Sequence, residues 1–165
     1  MDVTKNRSGR EDARLGADDW VDAALDAIAD SGVAAVTVEG LARKLSVTKG
    51  SFYWHFESQA ALLGAALARW EARDTEGVID AAASGGPRER LHALFVAVHR
   101  PARGAALHVA LSAAADHPVV QPYLRRVSQR RIAYMERCLL ELGLGASDAR
   151  SRATLLFFYG NGDCL

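Results

Sequence analysis

The sequence predicts an all-α protein, and three observations support this fold class. Half of the 165 residues are hydrophobic and 7% are aromatic, so the core must consist mainly of alanine, leucine and valine, of which alanine and leucine favour helices. Alternating runs of β-branched residues, which are typical of strands, are absent. Apolar residues instead recur at spacings of three and four between breaks that contain glycine or proline.

Length and charge narrow the class of protein. A chain of 165 residues can bury a core in one or two small domains. Its formal net charge is zero, with 20 basic and 20 acidic residues, so the overall charge does not indicate a nucleic-acid partner. Two cysteines without metal-ligand spacing, and no stretch suited to a signal sequence or membrane span, favour a soluble cytoplasmic protein without a metal or cofactor.

The first part of the chain predicts a flexible arm followed by a helix. Residues 1–17 are polar, so we expect an arm that is disordered alone, either a solvated tail or a segment that reaches into a minor groove. A helix should begin at Asp18 and end at Gly32, a residue suited to the position after a helix. The apolar stripe of this helix consists of Trp20, Val21, Ala24, Leu25, Ile28 and Ala29.

Residues 37–56 predict two short helices joined by a tight turn. Thr37 is suited to cap a first helix over about residues 38–45, whose apolar residues recur at helical spacing. Thr48 is suited to cap a second helix of about two turns. Two helices with so short a connection predict a helix-turn-helix.

The second of these helices should have two different faces. Phe52 and Phe56 are four residues apart and are expected to pack inward against the preceding helix. The remaining residues are short or polar and lie near a helix N-terminus, where unpaired N–H groups and the helix dipole favour a phosphate. Gly50 has no side chain, which would let the backbone approach a groove closely.

The run TVEGLARKLSVTKGSFYWHF, followed by an apolar helix from Ala60, resembles the DNA-binding signature of TetR-type transcriptional regulators. The resemblance covers about residues 18–65, and the YWHF block at its distance from LARKL makes it specific. It implies a homodimeric, ligand-responsive repressor that binds a palindromic double-stranded DNA operator. The residues implied to contact DNA are Thr37, Lys44, Thr48, Lys49, Gly50, Ser51, Tyr53, Trp54 and His55.

Some features depart from the family's pattern and leave an alternative open. Residues 57–60 read ESQA where the family often has a lysine, and Ser46 replaces the usual glycine of the turn. The first 60 residues carry seven basic and ten acidic side chains, and seven minus ten gives a charge of minus three. The alternative is an all-α small-ligand-binding or interaction protein with weak or lost DNA binding, in which Trp54 and His55 pack on the next helix.

Five more helices are predicted beyond residue 57, with a small-residue helix over 105–115 among them. Ser58 should cap a long helix to about Ala82 with an inward stripe of Leu62, Leu63, Ala66, Leu67, Trp70 and Val78. The break at residues 84–87 precedes a helix from Pro87 to about Arg100, and residues 101–104 form another break. A turn over 116–122 precedes a long helix from Pro122 with a stripe of Leu124, Ser128, Ile132, Met135, Leu139 and Leu142. A last helix should begin near Ser147.

The resemblance implies two domains after the arm: a three-helix DNA-binding domain over residues 18–57 and a helical ligand-binding and dimerisation domain over 58–165. Family members pair their last two helices with those of a second subunit, so dimerisation is expected through 122–142 and 147–159, with an intramolecular hairpin as the alternative. The ending GNGDCL is a poor helical end, and we expect this domain to be truncated.

A pocket for a small-molecule effector is also implied by the resemblance. The residues that would line it are Trp70, His92, Phe95, His99, His108 and Leu111, although such residues are more often simply core. His92 and His99 lie two helical turns apart, roughly 10 Å along the axis, which excludes a shared metal ion. No glycine-rich phosphate loop, paired histidine motif or nucleophile motif indicates an enzyme.

Overall fold

A computed structural model describes residues 15–98 and 102–160, and within these ranges every regular element is a helix. A 3-10 turn lies at Val33–Ala35, and a π turn lies at Ala72–Glu76. The α-helices are α1 Ala17–Ser31, α2 Val38–Lys44, α3 Lys49–Tyr53, α4 Gln59–Glu71, α5 Gly77–Ala81, α6 Pro87–Val98, α7 Ala102–Ser112, α8 Val120–Glu141 and α9 Ala146–Gly160. The all-α prediction is confirmed, and the predicted arm and His99 lie largely or wholly outside the described residues.

α1 is the central helix of the N-terminal part of the molecule. The side chain of Asp19 accepts a hydrogen bond of 2.7 Å from the backbone N–H of Gly16, which fixes the start of the helix. Gly32 ends it at φ +83°, a conformation that glycine adopts without a steric penalty. α1 packs against α2, α4 and α7 and buries Trp20 and Ile28 completely, so it supports both the helix-turn-helix and the helices that follow.

The turn between α2 and α3 is compact, as the sequence predicts. The hydroxyl of Thr37 accepts a hydrogen bond of 3.1 Å from Gly40 N–H, so Thr37 caps α2 as expected. Ser46 adopts φ +58°, the left-handed conformation for which glycine would be the usual residue. Thr48 occupies the position before α3 without forming a side-chain cap, and α3 has five residues, about half a turn short of the two turns expected.

α4, the π turn and α5 follow one another without a break, and the π turn shifts their buried face. Ser58 caps α4 by accepting a hydrogen bond of 3.1 Å from Ala61 N–H, and the predicted stripe is buried as far as Trp70. One extra residue in the π turn then moves the buried positions to Thr75, Ile79 and Ala82. The prediction that Val78 faces inward is therefore confirmed only in part: Val78 is half-buried and packs against the buried cluster, in which Ile79 is the fully covered neighbour.

Three arginines of α8 hold this π segment. Arg131 donates to the hydroxyl of Thr75 at 3.2 Å and to the carbonyl oxygen of Asp74 at 2.9 Å. Burial lowers the pKa of the Arg131 guanidinium, whose carbon lies 6.0 Å from the centre of the Trp70 ring. The other two contacts are paired hydrogen bonds of 2.8 to 3.1 Å, from Arg126 to Glu71 and from Arg130 to Glu76. α8 is thus fastened to the continuous helical segment formed by α4, the π turn and α5.

Two predicted helix starts shift in the structure. α7 begins at Ala102 instead of Ala105, so residues 102–104 belong to a helix instead of a break. α8 begins at Val120 instead of Pro122, because proline is tolerated within the first turn of a helix, where its missing N–H would have no helical partner.

The predicted stripe of α8 is also wrong in part. Leu139 is buried as predicted, the other members within α8 are half-buried, and Leu142 is exposed. The fully covered residues of α8 are Val120, Val127, Tyr134 and Cys138. α8 packs against α4, α6 and the π turn as well as along α9, so it buries more than one face. None of the described helices combines the length and apolarity needed to cross a membrane.

Candidate nucleic-acid interface

A pair of phenylalanines fixes α3 from beneath. Phe52 is completely buried, and its ring meets that of Trp20 edge-on with 5.4 Å between ring centres. The ring of Phe56 stacks on Phe52 at 5.8 Å. Leu41 on α2 is buried in the same cluster. The predicted inward face of this helix is therefore present, and α3 has a defined orientation although it is only five residues long.

The opposite side of α3 is exposed to solvent. Tyr53 is 64% exposed and Trp54 is 87% exposed, values that are unusual for large aromatic side chains in a folded domain. Ser51 is half-buried at the edge of this side. We define the α3 outer surface by its exposed residues, which are Thr48, Lys49, Gly50, Tyr53, Trp54 and His55. Tyr53 meets Phe52 edge-on with 5.2 Å between ring centres, but both bulky aromatic residues have most of their surface available for a partner.

Gly50 lies within the α3 outer surface, and the packing of the protein does not require a glycine there. A methyl group at this position would meet only the hydroxyl of Thr48, at 3.6 Å, which is an ordinary contact. Gly50 is therefore not retained to avoid a clash inside the molecule. Because glycine has no side chain, nothing projects from the outer face of α3 at this position, and a partner can approach the backbone closely.

The lysines of the helix-turn-helix are engaged by carboxylates. Lys49 forms an ion pair with Glu39 on α2 and donates a hydrogen bond to it, and this hydrogen bond lowers the pKa of Glu39. Lys44 pairs with Asp26 on α1 at 3.3 Å. Arg43 is exposed and makes no ion pair within the part of the chain that the structure describes. Three cationic side chains are thus grouped here, but Lys44 and Lys49 are each compensated by a carboxylate of the same chain.

The acidic residues of α1 are partly paired as well. Arg69 on α4 donates to Asp22 at 2.9 Å and also pairs with Asp18. The hydrogen bond that Arg69 donates to Asp22 is the largest cause of the raised pKa of Arg69. These pairs compensate part of the negative charge that the sequence places on α1. The electrostatic field near α3 is therefore determined mainly by charged groups close to α3.

Glu39, the ion-pair partner of Lys49, is a residue of the helix-turn-helix that the sequence analysis did not identify. It is separated from Lys49 by ten residues and by the turn at Ser46, whose left-handed geometry determines how the two helices meet. The spacing alone gives no signal for the pair. Of the other implied contact residues, Thr37 is half-buried with its hydroxyl occupied as the α2 cap.

The residues predicted to line an effector pocket separate into two groups. Trp70, His108 and Leu111 are buried, with 6.2 Å between the ring centres of Trp70 and His108. Phe157 of α9, which sequence reasoning missed, lies edge-on to His108 at 6.2 Å. In contrast, His92 and Phe95 lie at exposed positions on α6.

A cleft of about 510 Å³ lies elsewhere, between the end of α1, the start of α4 and the end of α7. Its lining includes Gln59, Leu63 and His117 and none of the residues predicted for the pocket. Among the described residues, no three histidine, cysteine, aspartate or glutamate side chains are grouped closely enough to hold a metal ion.

Comparison with known proteins matches the N-terminal part of the chain to a family model. The family model for bacterial regulatory proteins of the tetR family matches residues 21–66. The HTH-type transcriptional regulator SrpR of Pseudomonas putida is 44% identical to this chain over a segment of 48 residues. The segment makes up 29% of this chain and 22% of SrpR, so the match spans well under two thirds of that relative.

Solved structures resemble the chain over most of its length. A transcriptional regulator from Rhodococcus sp. Rha1 matches with a TM-score of 0.76 and 21% identity, over 90% of this chain and 81% of that one, which is a likeness of fold. BioQ, solved with its double-stranded DNA operator, matches with a TM-score of 0.51 and 27% identity over 91% of this chain and 86% of that one.

Proposed function

This chain is a member of the TetR family of bacterial regulatory proteins through residues 21–66, and from that premise we propose that it is a sequence-specific DNA-binding transcriptional regulator. It acts in the cytoplasm as a ligand-responsive repressor that occupies a palindromic operator as a homodimer. The observation that carries the proposal is the α3 outer surface, where Tyr53 and Trp54 are exposed on a helix that Phe52 fixes from beneath. The operator bound to BioQ supports the same mode of binding.

In the proposed complex, α3 lies in the major groove and its outer surface meets the duplex. Gly50 lets the helix approach the base edges closely, and Thr48 and Ser51 supply short polar side chains for them. Tyr53 and His55 donate to phosphates, which sets the orientation of the helix. Residues 18–57 act as the DNA-binding domain and residues 58–165 as the body.

Replacing both Tyr53 and Trp54 with alanine is expected to weaken operator binding at least about tenfold, because each contributes a contact to phosphate or base of about 1 kcal/mol or more. Both side chains are exposed, so the thermal stability should change little. The operator is first selected from random duplex DNA with the wild-type protein, and fluorescence anisotropy then gives the dissociation constants of both proteins.

The matched control is Phe95→Ala, which removes another exposed aromatic side chain, from α6 in the body. This variant should bind the selected operator as the wild type does. Failure of the wild-type protein to enrich any sequence would instead favour the alternative of an interaction protein that has lost DNA binding, which the internal pairing of Lys44 and Lys49 makes a specific rival.

The proposed homodimer forms through α8 and α9, which pack along each other. These helices, and Leu142 directly after α8, carry large apolar side chains that the single chain leaves exposed; those within the helices are Leu140, Leu155, Leu156, Phe158 and Tyr159. Apolar side chains grouped on two adjacent helices are typical of a surface that a partner covers. A two-fold pairing through them would present two copies of α3 to successive major grooves.

Leu155→Asp is expected to dissociate the dimer, because it places a charge among apolar side chains that the partner would desolvate. We expect the dimer dissociation constant to rise at least about a hundredfold, and operator affinity to fall with it because the two half-sites are no longer bound together. Analytical ultracentrifugation measures the assembly. Val109→Asp makes the same change at an exposed apolar position of α7, and a dimer weakened equally by both variants would contradict this interface.

The effector of the proposed repressor would be a small molecule that prefers one of two arrangements of the body relative to α4. The buried group of Trp70, His108 and Phe157 lies where α4, α7 and α9 meet. An apolar or aromatic ligand that enters this group would move α4 directly. The arginine contacts from α8 to Glu71 and Glu76 supply the coupling between the body and that helix.

A further inference from the structure

We infer that Glu39 is an internal competitor of the DNA backbone for Lys49, so that their ion pair must open before Lys49 can contact a phosphate. The inference rests on the proposed function, since it concerns how the α3 outer surface meets DNA. Glu39 lies in the first turn of α2, and its carboxylate touches the ammonium group of Lys49 at the beginning of α3.

Both side chains are accessible to a partner. Lys49 is 59% exposed and Glu39 is 62% exposed, so a duplex that reaches one must come close to the other. The hydrogen bond from Lys49 lowers the pKa of Glu39, and the carboxylate is therefore charged throughout the neutral range. Any DNA that approaches α3 consequently meets a compensated pair instead of a free cation.

This exchange has a consequence for the salt dependence of binding. A free lysine that neutralises a phosphate releases about one condensed counterion, which contributes about 0.9 to the slope of log affinity against log salt. Lys49 must leave a carboxylate, which then attracts a cation from solution. The cation taken up by Glu39 offsets the one released by the phosphate, so this contact adds almost nothing to the slope.

The experiment compares four full-length proteins on one probe: the wild type, Glu39→Gln, Lys49→Ala and the double variant. The probe is a generic duplex of mixed sequence, and anisotropy titrations run from about 50 to about 200 mM KCl. We expect Glu39→Gln to bind about fivefold more tightly at the lower salt, as the loss of an exposed ion-pair competitor allows, with a slope steeper by about 0.9. In proteins that lack Lys49, Glu39→Gln should leave the slope unchanged.

The outcomes separate the inference from the proposed function. If the wild type does not bind the duplex at all, both the proposed DNA-binding function and the inference about Glu39 are contradicted. If the wild type binds but Glu39→Gln has the same affinity and slope, or binds more weakly because the pair serves only to orient α3, the inference alone is overturned. Equal tightening with and without Lys49 would also overturn it, since simple repulsion of phosphates by Glu39 would then suffice.

A matched variant controls for the change in total charge. Glu89→Gln removes one negative charge from an exposed position in the first turn of α6, away from the helix-turn-helix. It should bind DNA with wild-type affinity and slope. A steepening as large as that of Glu39→Gln would show that total charge, and not competition for Lys49, governs the measurement. Circular dichroism verifies that all variants keep their helical content.

Discussion

Replacing Phe52 with alanine is expected to lower the free energy of unfolding by about 3–5 kcal/mol, the usual cost of removing a fully buried aromatic side chain. Phe52 has no exposed surface, and its ring contacts those of Trp20 and Phe56. Alanine would leave a cavity between α1 and α3, and a helix of five residues has few other contacts with which to close it. Urea denaturation monitored by tryptophan fluorescence measures the change.

Tyr53→Ala is the control for this prediction, because Tyr53 is adjacent in sequence but mostly exposed. Its effect on stability should stay within about 0.5 kcal/mol. A small loss for Phe52→Ala, comparable with that of Tyr53→Ala, would mean that α3 is not anchored through its phenylalanine face. The orientation proposed for the α3 outer surface would then lack its support.

Replacing Arg131 with leucine is expected to destabilise the protein by about 2–3 kcal/mol. Leucine removes the donors that satisfy the Thr75 hydroxyl and the Asp74 carbonyl oxygen. Thr75 is buried, and a buried acceptor without a donor costs about 1–3 kcal/mol. Relief from burying the charged guanidinium offsets part of the loss, since burial already lowers the pKa of Arg131. Chemical denaturation measures the free energy of unfolding.

The neighbouring residue offers a matched comparison. Arg130→Leu breaks an ion pair with Glu76 in which both side chains are nearly half exposed, and such pairs contribute at most about 1 kcal/mol. The two variants make the same chemical change one residue apart. If Arg131→Leu is as stable as the wild type or more so, the free-energy cost of burying the guanidinium equals or exceeds the stabilisation from its hydrogen bonds. Arg131 would then not hold the π turn.

Features that depend on a few adjacent residues could be predicted from the sequence. Thr37 and Ser58 cap their helices because a hydroxyl at the N-cap position, just before the helix, needs only the backbone N–H three residues later as its donor. Gly32 ends α1, and Pro87 begins α6, for equally local reasons. The pairing of Phe52 with Phe56 follows from their spacing of four. These local rules account for the general form of the helix-turn-helix.

Features that depend on contacts distant in sequence could not be predicted in this way. The π turn has no signal of its own in residues 72–76, since Arg131, more than fifty residues later, supplies the groups that satisfy it. The choice between Val78 and Ile79 as the inward residue depends on that turn. The buried face of α8 depends on how many helices surround it, and the pair of Glu39 with Lys49 depends on the turn at Ser46.

The π turn also determines where this chain can tolerate a change in length. The buried positions on its two sides, Trp70 and Thr75, are five residues apart, while those that follow are separated by four and three. Loss of one amino acid from the intervening segment would restore a regular α-helical spacing of four. The same loss in α4 or α5 would instead rotate everything beyond it by about 100°. Relatives one residue shorter in this helix should therefore lack that residue within the segment and nowhere else.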